Sequence, residues 1–174
     1  MIIEGTGIVL CPFDRRHLDK TRQWANDSDL SIPLDRARPI SDIEHHDWFE
    51  SLHKDKQAVY FALETADTRD HIGMIWLWGI DWRHRKAELS IYIGEQAEHG
   101  KGYASEAIAL LCEYGFQKLN LHKIYAYVLG FNLGAKRAFE KAGFVLEGTL
   151  KNDRWAGKEY VDVFLLGAFA KDGD

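Results

Sequence analysis

The chain has few of the residues that staple or anchor a fold. Two cysteines, Cys11 and Cys112, in 174 residues are too few and too far apart for a disulfide framework. Free thiols in a cytoplasmic protein are the expectation. Proline occurs three times, at Pro12, Pro33 and Pro39. No apolar run approaches the roughly 18 residues of a membrane helix. The N-terminus lacks the charged start and apolar core of a signal peptide. Basic residues are outnumbered: net charge is −5 and the isoelectric point is near 5.9, which argues against nucleic acid as the main partner. Internal repeats, low-complexity tracts and linkers are missing as well, so residues 1–174 read as one domain. What is abundant is apolar: 46% of the residues are hydrophobic and 13% are aromatic, including six Trp, which suits one core and a ring-rich interior or pocket.

The most informative stretch is His99-Gly100-Lys101-Gly102-Tyr103-Ala104-Ser105. It lies between an apolar run that reads as a strand (88–93) and one that reads as a helix (104–119). Glycines at 100 and 102 permit a tight turn and leave backbone N–H groups free to converge. The unpaired first-turn donors and dipole of the following helix add a preference for phosphate, and Lys101 adds a mobile charge. Neither common phosphate motif fits. A Walker loop needs Gly-Lys-Ser/Thr, and here Gly102 follows Lys101. A dinucleotide fingerprint needs Gly or Ala where Ser105 stands. A solvated turn is the competing reading.

Around that loop the elements follow in a regular order. A first strand carries Ile8 and Leu10, and Asp14 caps a helix over 14–24. Residues 27–39 read as loop. Ser41 and Glu44 have capping-box spacing for a second helix. Strands are expected at 59–64, 72–80 and 87–93, then the helix after the glycine loop, a strand at 123–128 and a helix at 133–142 closed by Gly143. A terminal hairpin pairs 145–155 with 160–169. The succession predicts a mixed α/β sheet.

A second segment completes the pattern: Asn132, Ala135, Phe139 and then Gly143-Phe144. With the loop about thirty residues upstream, the chain closely resembles the GNAT (Gcn5-related) N-acetyltransferase superfamily. The family's Gln/Arg-x-x-Gly-x-Gly/Ala pattern matches at Gly102 and Ala104, with His99 at its first position. The branch resembled contains ribosomal-protein N-terminal acetyltransferases and spermidine N-acetyltransferases. The resemblance implies a mostly antiparallel central sheet, splayed at the cofactor site and flanked by about four helices. It implies acetyl-CoA as the cofactor. Its pantetheine arm would lie along Leu89, Ile91 and Ile93, its pyrophosphate on the N–H groups of 100–105, and Asn132 and Lys136 on its far side. A homodimer is a further implied possibility.

Amine acetylation needs a base for the ammonium proton, a donor for the oxyanion and, in some cases, a proton for the leaving thiolate. Glu88, opening the strand that faces the cofactor, is the candidate base; the alternative is a surface carboxylate paired with Arg85 or Lys86. Asp81 is a second choice. Phe139 stands where many relatives carry an acidic Tyr. The thiolate could leave unaided, Tyr103 or Ser105 could substitute, or the protein could be an acyl-CoA-binding module without turnover. Trp76, Trp78 and Trp82 alternate and could floor an acceptor pocket or simply pack in the core. Arg36 and Arg38, beside Asp35, oppose a polycation and suit an acceptor with phosphate or carboxylate. His45-His46 points two ways on a helix and is not read as a metal site. The expected activity is acetylation of a primary amine on a small molecule by direct attack in a ternary complex. Acetylation of a protein N-terminus is the same-chemistry alternative.

Overall fold

A computed structural model describes residues 1–31 and 37–171. Its strands are β1 (Ile3–Glu4), β2 (Ile8–Pro12), β3 (Val59–Thr65), β4 (His71–Asp81), β5 (Lys86–Ile93), β6 (Lys123–Leu129), β7 (Val145–Trp155) and β8 (Tyr160–Phe169). They form one sheet in the order β1-β2-β3-β4-β5-β6-β8-β7. Every neighbouring pair is antiparallel except β5 and β6. The helices are α1 (Leu18–Ala25), α2 (Ser28–Ser31), α3 (Asp42–Leu52), α4 (Tyr103–Gln117) and α5 (Leu133–Lys141). This is the mixed, mostly antiparallel α/β sheet expected.

Local chemistry explains the helix ends. Asp14 and His17 form a capping box that opens a 3-10 turn ahead of α1. Ser41 Oγ accepts from the Glu44 N–H, while Glu44 Oε2 accepts from the Ser41 N–H. At the end of α5, the Gly143 N–H bonds to the Glu140 carbonyl and the Phe144 N–H to the Phe139 carbonyl. Gly143 itself has φ +100°. That is a Schellman stop, which needs a residue at ease with positive φ.

Three expectations are corrected. Residues 28–31, read as loop, form the single turn α2. The short strand β1 had no signal, because two residues carry no period. The helix after the glycine loop ends at Gln117, two residues early. Leu119 nevertheless packs on the core.

The middle of the sheet is packed on both faces. On one, α4 lays Ile108 and Leu111 against Ile75, Leu77, Leu89 and Ile124, all at most 2% exposed. Each such side chain contributes about 1.5–3 kcal/mol on burial. Gly115 lets α4 lie close to β6: a Cβ there would come within 2.8 Å of Ile124 Cδ1. On the other face α1 and α3 cover a smaller, ring-rich cluster of Trp24, Met74 and Tyr92, with Trp48, Tyr60 and Trp76 beside it.

Candidate active site

The one parallel pairing makes the site. β5 and β6 pair from Lys86↔Lys123 through Ala87↔Ile124 to Glu88↔Tyr125 and no further. Beyond Glu88, β5 continues along β4 (Leu89↔Leu77, Ile91↔Ile75, Ile93↔Gly73), while β6 continues along β8 to Leu129↔Val163. The sheet therefore splits into a V with Glu88 at its apex.

Two adjoining cavities fill the V. The larger, about 770 Å³, runs from Ile91 and Ile93 past His99, Gly100, Gly102, Tyr103, Ala104 and Ser105 to α5. The other, about 510 Å³, holds Trp78, Glu88, Leu89, Ser90, Tyr127 and Arg154. Ile91, Asn132, Ala135 and Phe139 line both, so the cleft is continuous. These sizes suit a ligand with an extended arm.

The loop end is shaped for phosphate. Gly100 and Gly102 have φ +77° and +82°, and a Cβ on either would project into open space with no atom within 4 Å. No side chain caps the start of α4, so its first-turn donors stay available. Ser105 Oγ donates to the Gly102 carbonyl at 3.0 Å and holds the turn. His99 Nε2 lies 2.8 Å from the Ile93 carbonyl, tying the loop to β5. Asn132 Oδ1 accepts from the Ala135 N–H and caps α5 at the cleft wall. Coenzyme A, with a pyrophosphate and a narrow pantetheine arm, fits this donor set and shape.

At the apex, burial pushes the Glu88 carboxyl up to about 7, against the opposing pull of Arg154. The alternative partners are engaged elsewhere: Arg85 Nε donates to the Asn120 carbonyl, and Lys86 Nζ lies over the Tyr125 ring. Trp78 Nε1 donates to Ser90 Oγ at 2.9 Å, framing the cavity beside Glu88. Phe139 is 4% exposed, with its ring 5.0 Å from Phe144, and forms the wall shared by both cavities.

Other expected site residues lie elsewhere. Asp81 accepts from the backbone N–H groups of Arg83 and His84, and its carboxylate meets His84 Nδ1 at 2.9 Å. Those bonds, from the His84 backbone first, hold its carboxyl below the ordinary value. It organises a turn and makes a poor base. Lys101 pairs with Glu98 at 2.8 Å, and Lys136 pairs with Glu140 and lies over Phe164. Neither lines the cleft; among the described residues, Arg137 and Lys141 line its larger cavity and Arg154 the other. Arg38 bonds Glu44 Oε1 at 2.7 Å, bracing the start of α3 instead of facing an acceptor. Arg36, with Asp35, lies outside the described residues. Trp82 is exposed and lines neither cavity, which limits the aromatic floor to Trp76 and Trp78. Arg154, Tyr127 and Lys141 had no sequence signal, because only the folded sheet brings β6, β7 and α5 to Glu88 and the loop.

One cluster with metal-ligand chemistry occurs among the described residues: Cys11, His17 and Glu64, all buried. Its carboxylate oxygens already face Arg16 at 2.6 Å and Arg69 at 2.8 Å. Two guanidiniums occupy the electrostatic place a cation would take.

Comparison with known proteins identifies the class. The family model described as an acetyltransferase (GNAT) domain matches residues 8–145, and the chain belongs to that family. A spermidine N(1)-acetyltransferase from Vibrio cholerae is 39% identical over 103 residues, covering 59% of this chain and 58% of its own length. The chain thus aligns with under two thirds of that relative's length. One from Escherichia coli K12 is 29% identical over 162 residues, 93% of this chain and 86% of its own length. The solved structure of the Vibrio cholerae spermidine N-acetyltransferase with CoA and spermine superposes with a TM-score of 0.88 at 28% identity, covering 95% of this chain and 96% of that one.

Proposed function

We propose that this protein is an acetyl-CoA-dependent N-acetyltransferase acting on the primary amine of a small molecule by direct attack in a ternary complex. The observation that carries this reading is the end of β5–β6 pairing at Glu88, with a glycine-lined phosphate cradle along one arm of the cleft. When bound, the cofactor supplies an acetyl thioester.

The backbone of β5 beyond Glu88 offers polar groups to hold the pantetheine arm as an added strand. Residues 100–105 and the start of α4 receive the pyrophosphate, with Arg137 and Lys141 nearby. Glu88 takes the ammonium proton. The freed nitrogen lone pair would form the C–N bond as the C–S bond breaks, and the nitrogen's second proton would pass through solvent, which also protonates the departing thiolate. Phe139 supplies no proton, so the thiolate departs on its own acidity. A carboxyl near 7 supports turnover over passive acyl-CoA binding, because a base works best when its pKa lies near the working pH. Polyamines, the acceptors named for the relatives, are one candidate acceptor class.

Two free, buried cysteines fit a reducing compartment such as the cytoplasm. Val145, Leu146, Leu150, Trp155, Tyr160 and Phe169 leave the terminal hairpin with an exposed apolar surface. That surface supports a homodimer through β7 and β8.

The direct test is CoA release from acetyl-CoA across polyamines, amino sugars, aromatic amines and short peptides. Gly102→Val should raise KM for acetyl-CoA at least tenfold, because a β-branched residue resists φ +82° and fills the cradle. An unchanged KM would remove the loop from cofactor binding.

A further inference from the structure

A third cavity, about 280 Å³, lies between α1, α3 and the sheet, and is lined by Trp48, Tyr60, Met74, Trp76 and Tyr92 together with His45. Its rings brace one another. Tyr60 stacks on Trp76 at 6.1 Å and 20°. Trp48 meets Tyr60 edge-on at 6.4 Å, and Tyr92 meets Trp76 edge-on at 6.1 Å. Such geometry presents both ring faces and ring edges to an occupant.

The cavity belongs with Glu88. Directly opposed residues of antiparallel strands share a sheet face. Trp78 opposes Glu88, Trp76 opposes Ser90 and Met74 opposes Tyr92; Tyr60 opposes Trp76. The candidate base and the ring box therefore lie on one face, and Trp76 lines both cavities. From Glu88 to Ser90, the position beside Trp76, is two strand residues, roughly 7 Å. That spacing puts the first ring of the box one pleat repeat from Glu88, on the scale of a short arm between amine and ring. The box exceeds the roughly 150 Å³ cavity that holds one benzene.

Charge points the same way. Among the described residues, the box is lined by no carboxylate, and the cavity around Glu88 pairs that single acid with Arg154. A polyamine would bring further ammonium groups, and among the described residues neither the box nor the cavity around Glu88 has a second carboxylate to neutralise them.

We propose that the acceptor is a primary monoamine carrying an aromatic ring on a short arm, its amine at Glu88 and its ring in the Trp48–Tyr60–Trp76–Tyr92 box. This rests on the acetyl-transfer reading above and narrows its substrate class. The step is unchanged: the ammonium gives one proton to Glu88, the nitrogen takes the acetyl group and loses its second proton to solvent, and the thiolate leaves and is protonated there.

The test compares CoA release by the full-length protein with 2-phenylethylamine, tryptamine, ethylamine and spermidine. The aromatic amines should exceed spermidine in kcat/KM by at least tenfold, about 1.4 kcal/mol. Trp76→Ala should cut the preference for 2-phenylethylamine over ethylamine at least tenfold. On the unaltered protein, 2-phenylethanol should inhibit competitively against the amine and not against acetyl-CoA, a measurement that does not depend on a variant folding. Spermidine as the better substrate, or no inhibition by the alcohol, overturns the ring box and leaves acetyl transfer standing. CoA release from no amine, with tryptophan fluorescence still quenched by saturable 2-phenylethanol binding, keeps the box and overturns the transfer. Absence of both responses overturns the box as well.

Discussion

Two glutamates in this sheet have opposite fates. Glu64 on β3 is 0% exposed. Burial alone would raise its carboxyl, but bonds from His17 and Arg69, with the charge of Arg16, outweigh it and bring the group down to about 2. Glu88 on β5 is half-buried, is opposed by Arg154, and sits near 7. Burial penalises both charges; only Glu64 is given enough donors to offset it. Glu64 thus stays ionised and ties the 3-10 turn ahead of α1, β3 and the turn at Arg69 together. Glu88 is left able to exchange a proton at neutral pH. The fold spends its cations on the structural acid and leaves the apex of the cleft under-compensated, which is where a base is useful.

The largest effect should come from removing the exchangeable proton. Glu88→Gln should lower kcat by about two to four powers of ten, while a melting-shift titration shows acetyl-CoA affinity within threefold of the original. The kcat/KM profile of the unaltered protein should rise through about pH 7 as Glu88 loses its proton, and that limb should vanish in the variant. A variant with undiminished turnover would take the base role from Glu88 and collapse the contrast with Glu64.

Glu64→Gln should act on stability instead. It leaves Arg16 and Arg69, both largely exposed, facing a neutral amide, so the loss is that of hydrogen bonds to a charged group, about 1.5–3 kcal/mol. The sign follows from the lowered carboxyl. Its stabilisation is present above the unfolded value of 4.5 and is lost as pH falls toward about 2. Urea unfolding at pH 7 should show the deficit, and it should shrink between pH 4.5 and 2. A deficit that stays constant through that window would mean the pairing is not its source.

Arg154→Met sharpens the comparison by making Glu88 still less compensated. Its acid limb should move to higher pH, since Arg154 is what pulls the carboxyl down. The loss of rate at pH 7 should stay below about tenfold, the worth of one pKa unit. A limb that does not move would show that Arg154 and Glu88 are not coupled.

Which parts could be read from sequence follows from how far each interaction reaches along the chain. The glycine turn, the Asn132 cap and the Gly143 stop are local events, and their residues carry the signal in their own φ preferences and side-chain bonds. Misplaced charges fail for a local reason too. Lys101 meets Glu98, Lys136 meets Glu140, Asp81 meets His84 and Arg38 meets Glu44, each within six positions. Three of those pairs have the three- or four-residue spacing that marks neighbours on a helix or turn. Counting local partners first would have removed them from the site. The Glu64 network, Arg154 and Tyr127 were illegible because strands far apart in sequence bring them together. So was the ring box, whose Trp48 and Tyr60 come from α3 and β3.

The smallest effect tests whether proton handling in the cleft rests on Glu88 alone. Phe139→Tyr would place a hydroxyl on the wall shared by both cavities, at the position where the family resemblance implies an acidic Tyr. Phe139 is 4% exposed and lines both cavities, so the change adds one atom to a wall that borders open space. If the thiolate leaves on its own acidity, kcat should change by less than about threefold, far short of the two powers of ten that general acid help can bring. A rise of that larger size would show that sulfur departure limits the rate, and that the proton Glu88 removes is only half of the problem this cleft has to solve.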